Sequence, residues 1–165
     1  MDVIYSQPER LPPAYEIEEK LATLTGLDVS VRTISRSTFG MKDTCALGIF
    51  RKTKTHIGAL ALADRYFANF VGGAVGRLAS DHVRDQVKSP TLSEVVLEHL
   101  SQFFRGLEQL LNARGAPALA FHMARAEELP LDGQIGALFA EAPNRIDVEA
   151  SVSGYGKGRF ALILF

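Results

Sequence analysis

The stretch over residues 57–77 most constrains the fold, because within a few residues it passes from a buried strand to a packed helix. Residues 57–63 are almost all small or apolar, a composition typical of a strand covered on both faces. Asp64 follows at the position of a helix N-cap. The apolar residues after it recur at three- and four-residue spacing, which predicts an amphipathic helix. The unit therefore predicts a sheet with a helix packed against it.

Two adjacent glycines, Gly72 and Gly73, interrupt this helical pattern. Each glycine in a helix interior costs roughly 1 kcal/mol relative to alanine. A pair on a packing helix therefore predicts either that the helix ends there or that another group approaches its backbone closely.

The remaining chain alternates helices and strands in two similar halves. A capping box at residues 91–94 opens the longest predicted helix, whose apolar stripe runs from Leu92 to Leu111. Gly26 and Gly115 are predicted ends of the first and the longest helices. The other predicted elements are a helix over 15–24, strands over 27–35, 44–50, 56–62, 118–126, 145–152 and 159–165, a turn over 37–43, a loop over 80–90, a helical turn over 135–139 and a hairpin turn over 153–158.

The order helix, three strands, helix and then helix, three strands predicts a pseudo-two-fold α+β fold. Its mostly antiparallel sheet would carry two long helices packed on one face. We expect a flexible lead-in over residues 1–13 and a single domain over 14–165. The second half has no helix after its last strand, so the chain either ends at Phe165 or is a fragment of a longer one.

The composition excludes several classes of protein. Of 165 residues, 47% are hydrophobic and 22% are charged, which is typical of a soluble globular domain. A net charge of −1 gives no electrostatic support for nucleic-acid binding. No apolar run approaches the roughly 20 residues of a membrane span, and the N-terminus does not resemble a signal peptide. With the single cysteine Cys45, these features favour the cytoplasm.

Few residues of this chain stand in arrangements typical of catalysis or metal binding. The histidines His56, His82, His99 and His122 lack metal-ligand spacing, and Cys45 sits in an apolar strand that favours an inert thiol. The sequence therefore predicts no metal and no cofactor. One group remains: Glu94, Glu98 and Ser101 share one side of the longest helix. That side is either a solvated helix face or a catalytic set.

The order of these elements resembles the family that contains FliM middle domains and the chemotaxis phosphatases CheC and CheX. The resemblance covers residues 15–165 and is closest to divergent FliM proteins of the alphaproteobacterial kind. It implies the pseudo-two-fold α+β fold. It is carried by LTGLDVSV at 24–31, FVGGAVGR at 70–77, PTLSE at 90–94 and GRFALILF at 158–165.

The phosphatase branch of the family carries an acidic or serine residue, a glutamate and an asparagine on one helix. Transferred to this chain, the pattern implies Glu94, Glu98 and Ser101, with serine where the family has asparagine. A serine hydroxyl lacks the paired donor and acceptor of an amide. The matching positions of the first long helix, Asp64, Ala68 and Val71, lack the motif. CheY-phosphate phosphatase is therefore the second interpretation.

The motor switch branch docks on the rotor protein FliG through a Gly-Gly-x-Gly loop. The resemblance assigns this docking site to Gly72, Gly73, Gly76 and Arg77, with one residue more than the usual spacing. It implies a non-enzymatic flagellar motor switch (C-ring) component at the flagellar basal body. The implied partners are a FliG-like rotor protein, neighbouring copies in a ring and CheY. The interpretation of the chain as a type III secretion relative or another scaffold of this fold also stays open.

Overall fold

A computed structural model describes residues 10–36, 43–115, 117–131, 133–142 and 144–165. The turn predicted around Gly40 lies mostly outside these residues. In chain order the elements are α1 (Ala14–Thr25), β1 (Val29–Thr33), β2 (Thr44–Arg51), β3 (Ile57–Asp64), α2 (Arg65–Val75), α3 (Ser80–Gln86), α4 (Glu94–Asn112), β4 (Ala120–Glu128), α5 (Gly133–Glu141), β5 (Asn144–Val152) and β6 (Gly156–Leu164).

The strands form a six-stranded sheet in the order β1-β5-β6-β3-β2-β4, and every neighbouring pair is antiparallel. The apolar strands β3 and β6, one from each half of the chain, pair at the centre in a register that places Ala63 opposite Phe160. Exchanging the two halves reverses the strand order onto itself. The predicted pseudo-two-fold α+β fold is therefore confirmed.

Helices α1, α2 and α4 pack on one face of the sheet and enclose the main core. Three phenylalanines join its layers: the ring centroids of Phe67 and Phe160 are 5.1 Å apart, and the Phe103 ring lies 5.6 Å and 5.4 Å from them. Such pairs contribute about 0.5–1.5 kcal/mol beyond the area they bury. The prediction of long helices on one face holds, because the amphipathic stripes of α2 and α4 meet over the sheet.

Helix α5 covers part of the opposite face, where only one helical turn was predicted. Leu47 of β2 and Leu60 of β3 point to this side and are fully buried. Phe139 of α5 packs in the same cluster. Because the central strands are apolar on both faces, they need a cover on the second side as well.

Two local predictions around α3 and α4 were wrong. Residues 80–86, predicted as part of a loop, form the short helix α3, which is held by the burial of Val83. Helix α4 begins after Ser93, whose Oγ accepts the Val96 N–H at 3.1 Å. Thr91 belongs to the preceding turn, where its N–H donates to Ser89 Oγ, so the predicted capping box is displaced by two residues.

Three further features concern the ends of elements. Gly26 ends α1 with φ 71°, and Asp64 caps α2 by accepting the Phe67 N–H at 2.7 Å, both as predicted. At the end of the predicted lead-in, Arg10 is buried and donates to the carbonyls of Leu111 and Pro117.

Among the described residues, none of the helices has the length and apolar character required to cross a membrane.

Candidate functional site

The predicted docking site lies at the C-terminal end of α2. The helix continues through Gly72 and Gly73 to Val75, with Gly76 as its C-cap. Of the two alternatives that the glycine pair allowed, the structure shows close approach to the backbone rather than an end of the helix at the pair.

Each of the three glycines lies against another helix of the same chain: Gly72 and Gly76 against α4, and Gly73 against α3. A Cβ built on Gly72 would lie 2.7 Å from the Val96 carbonyl oxygen, and one on Gly73 would lie 2.5 Å from Val83 Cγ2. A Cβ on Gly76 would lie 2.4 Å from His99 Cδ2. Real Cβ atoms essentially never approach other atoms within 3.0 Å. The glycines therefore allow α3 and α4 to pack against α2, and Gly72 and Gly73 are buried.

Arg77, the fourth residue of the predicted site, is exposed and has a φ of 57°, in the left-handed region. Its N–H donates to the Ala74 carbonyl at 3.1 Å, and the Leu78 N–H donates to the Gly73 carbonyl at 2.9 Å. These two bonds form a Schellman motif, in which glycine usually occupies the left-handed position.

A residue with a side chain in this conformation costs about 1–2 kcal/mol. Arg77 is the only non-glycine residue with positive φ in the described part of the chain. An observed backbone outlier of this kind is a reason to suspect function. At the end of α2, Arg77 is exposed and Gly76 is partly exposed, whereas Gly72 and Gly73 are buried.

The candidate catalytic residues lie along the outer side of α4. Glu94 and Glu98 are exposed, and neither carboxylate makes an ion pair or hydrogen bond within the described structure. The Ser101 hydroxyl donates to the Leu97 carbonyl at 2.8 Å, one turn earlier in the same helix. The hydroxyl that would have to replace the family's asparagine amide is therefore engaged with its own helix.

The matching positions on α2 are structural. Ala68 and Val71 are buried in the core. Asp64 accepts the Phe67 N–H as the helix cap, and desolvation by burial raises its pKa from 3.8 to about 6, against the lowering effect of backbone hydrogen bonds from Phe67 and Arg159. The carboxylate of Asp64 therefore serves as the N-cap of α2, and the positions of the phosphatase motif on this helix hold structural residues.

Metal and thiol chemistry find no support in the described residues. No group of three His, Cys, Asp or Glu side chains is arranged there to hold a metal ion. Cys45 is buried in β2, and burial together with the negative charge of Glu127 raises its thiol pKa to about 12. The thiol is therefore protonated at neutral pH, as an inert core residue would be.

No protein-family model matches the sequence, and no curated protein matches it. Solved structures do match the fold. FliY from Thermotoga maritima superposes with a TM-score of 0.62 at 10% identity, over 99% of this chain and 92% of that one. A chain of the FliG–FliM complex from H. pylori gives 0.58 at 15% identity, over 92% and 85%. CheX from Vibrio vulnificus gives 0.55 at 13% identity, over 98% and 100%.

The architecture thus defines a class: pseudo-two-fold α+β domains built on a single antiparallel sheet with long helices on one face. Within that class, this chain has the fold seen in FliY, in a chain of the FliG–FliM complex and in CheX. At identities of 10–15%, these superpositions establish the fold and not the role of this chain.

Proposed function

We propose that this protein is a non-enzymatic component of a flagellar motor switch that docks on a FliG-like rotor protein and transmits the chemotaxis switching signal. The observation that carries the proposal is Arg77, an exposed cation held in a left-handed conformation at the end of α2. The likeness to a chain of the H. pylori FliG–FliM complex supports the identity of the partner.

The docking surface comprises Gly76 and Arg77, with Gly72 and Gly73 fixing the position of the helix end from inside. The Arg77 guanidinium makes no ion pair among the described residues. It suits a carboxylate of the partner, because an arginine can hold a carboxylate with two parallel hydrogen bonds. In the cell, the protein would lie in the cytoplasm at the flagellar basal body, beside neighbouring copies in a ring and within reach of CheY.

Calorimetric titration with the middle and C-terminal domains of the FliG-like protein from the same organism tests this proposal. We expect micromolar or tighter binding by the wild type. Arg77→Asp should weaken it by about tenfold or more, since a hydrogen bond to a charged group contributes about 1.5–3 kcal/mol. Aspartate tolerates the left-handed conformation better than most residues, so the fold should be preserved.

Lys54→Asp provides a matched control, because Lys54 is an exposed cation in the β2–β3 turn and the charge change is the same. If Arg77→Asp and Lys54→Asp bound equally well, the site at the end of α2 would be incorrect. If the wild type did not bind, the motor switch proposal would fail. Gly73→Asp is unsuitable as a probe, because any Cβ there would collide with Val83 inside the domain.

The second candidate is a CheC/CheX-type phosphatase of phosphorylated CheY, favoured by the exposed carboxylate of Glu98. The occupied hydroxyl of Ser101 counts against it. Mixing the protein with phosphorylated CheY and following the decay of the phosphoryl group decides between them. We expect no acceleration, whereas an acceleration that is lost in Glu98→Gln would establish the enzyme. If the protein neither bound the FliG-like protein nor accelerated the decay, the result would favour a type III secretion relative or another scaffold of this fold.

A further inference from the structure

The second face of the sheet is covered unequally, and its β1–β5–β6 part carries a polar cavity of about 510 Å³. Helix α5 packs over the apolar cluster of the central strands. Beside it, the cavity is lined by Arg32, Arg36, Glu149 and Arg159 together with the segment 33–35. The volume lies within the range of about 300–1,000 Å³ that is typical of small-molecule sites.

Strand register brings the charged residues of this cavity together. Arg32 of β1 lies opposite Glu149 of β5, and Glu149 lies opposite Arg159 of β6. Residues directly opposite one another on neighbouring strands point to the same side of a sheet. Their neighbours Val148 and Ala150 belong to the core under α1, α2 and α4, so this charged row faces the other way.

The positive charge of the row is only partly compensated. Arg32 binds Glu149, with Nη2 at 2.7 Å from Oε1, and this hydrogen bond is the main cause of the lowered pKa of Glu149. Arg159 is exposed and forms no ion pair with any described residue, although its charge interacts over a longer distance with the carboxylates of Asp64 and Glu149. The cavity lining therefore holds three guanidinium groups and one carboxylate.

The third guanidinium, of Arg36, is held in place by neutral groups. Its two terminal nitrogens donate to the carbonyls of Ala140 and Ala142 at 3.1 Å and 2.9 Å, at the end of α5 and just after it. Carbonyl oxygens fix the direction of the side chain but do not neutralise its charge. The cation is thus oriented before any ligand arrives, which reduces the entropy lost on binding.

From this arrangement we propose that the cavity binds the phosphate group of a small polar molecule. The surplus of two positive charges matches a phosphate dianion, and guanidinium groups match phosphate oxygens in a fixed fork geometry. Ser35 is also among the lining residues, and a serine hydroxyl can donate a further hydrogen bond. No aromatic ring occurs among the described lining residues, so the lining favours an aliphatic phosphate ester over a nucleotide.

Backbone amide spectra of the labelled chain, titrated with inorganic phosphate and separately with glycerol 3-phosphate, test the proposal. Ionic strength is held constant with chloride, because screening alone shifts weak electrostatic binding. We expect saturable shifts for the amides of residues 33–35 with both probes. Tighter binding of glycerol 3-phosphate would assign the site to a phosphate ester, and equal binding would assign it to phosphate itself.

Three variants predict both the direction and the size of the change in affinity for phosphate. Arg159→Gln should weaken binding by about tenfold, since it removes a charge-assisted bond without breaking an ion pair. Glu149→Gln should strengthen binding several-fold, because it removes the one negative charge of the described lining. Lys54→Gln, an exposed cation outside the cavity, should leave binding unchanged.

Absence of saturable shifts at residues 33–35 would overturn the proposal. So would equal affinities of the Arg159→Gln and Lys54→Gln variants, which would show attraction to the overall surface rather than to this cavity. A weaker affinity in Glu149→Gln would also contradict it, because the carboxylate would then be supporting the ligand. Shifts that appear only with a phosphorylated peptide, and not with either small probe, would reassign the surface to a protein partner.

Discussion

Replacing Arg77 by glycine should make the protein more stable and its docking weaker. Arg77 occupies the left-handed position of the Schellman motif that ends α2. That conformation costs a residue with a side chain about 1–2 kcal/mol, and glycine avoids the cost. Glycine also loses about 0.5–1 kcal/mol more conformational entropy on folding. The difference predicts a stabilisation of about 0.5–1 kcal/mol for Arg77→Gly.

Urea denaturation and thermal unfolding measure this difference. In a chain of 150–250 residues, 1 kcal/mol corresponds to roughly 2–4 °C in Tm, so we expect Arg77→Gly to raise Tm by about 1–4 °C. In the same variant, affinity for the FliG-like protein should fall by about tenfold or more, because the guanidinium is gone. Arg77→Ala serves as the control: it keeps the backbone cost and loses the side chain, so it should weaken binding without gaining stability.

Two outcomes would refute this reasoning. A loss of stability in Arg77→Gly would show that the arginine side chain makes stabilising contacts that outweigh its backbone cost. Unchanged affinity in both variants would show that the unusual conformation serves something other than docking. Stability and affinity moving in opposite directions is the signature of a residue kept for function at a cost to the fold.

Three further perturbations test the fold around the site. Gly73→Ala should lower the free energy of unfolding by about 1–3 kcal/mol in urea denaturation, because its Cβ would crowd Val83. Phe160→Ala should cost about 3–5 kcal/mol by emptying the three-ring cluster. Burial raises the pKa of Asp64 from 3.8 to about 6, so protonation of Asp64 stabilises the folded state relative to the unfolded chain. This stabilisation is fully present below pH 3.8 and is lost as the pH rises through about 6. Asp64→Asn should abolish this loss, which is up to about 3 kcal/mol, in urea titrations between pH 4 and 7.

Features of the candidate sites that depend on neighbouring residues could be predicted from the sequence, and features formed by distant residues could not. The position of α2, its cap at Asp64 and the exposed glutamates of α4 follow from spacing along a few turns, and each was predicted. The left-handed conformation of Arg77 was not, since the usual sequence signal for such a position is a glycine and the glycine here, Gly76, comes one residue earlier. The cavity was missed because its charged residues lie far apart in sequence.

The sequence by itself determined the six strands, the helices α1, α2 and α4, their order and the pseudo-two-fold α+β arrangement, because periodicity, caps and turn glycines act between residues a few positions apart. It did not determine α3 or the full length of α5. Only the tertiary structure decided what approaches Gly72 and Gly73, and the groups are the chain's own Val96 and Val83. It also decided that Arg32 and Glu149, 117 positions apart, would meet across two strands. Contacts of this kind depend on strand register and helix packing, which the whole core sets together and no short stretch of sequence encodes.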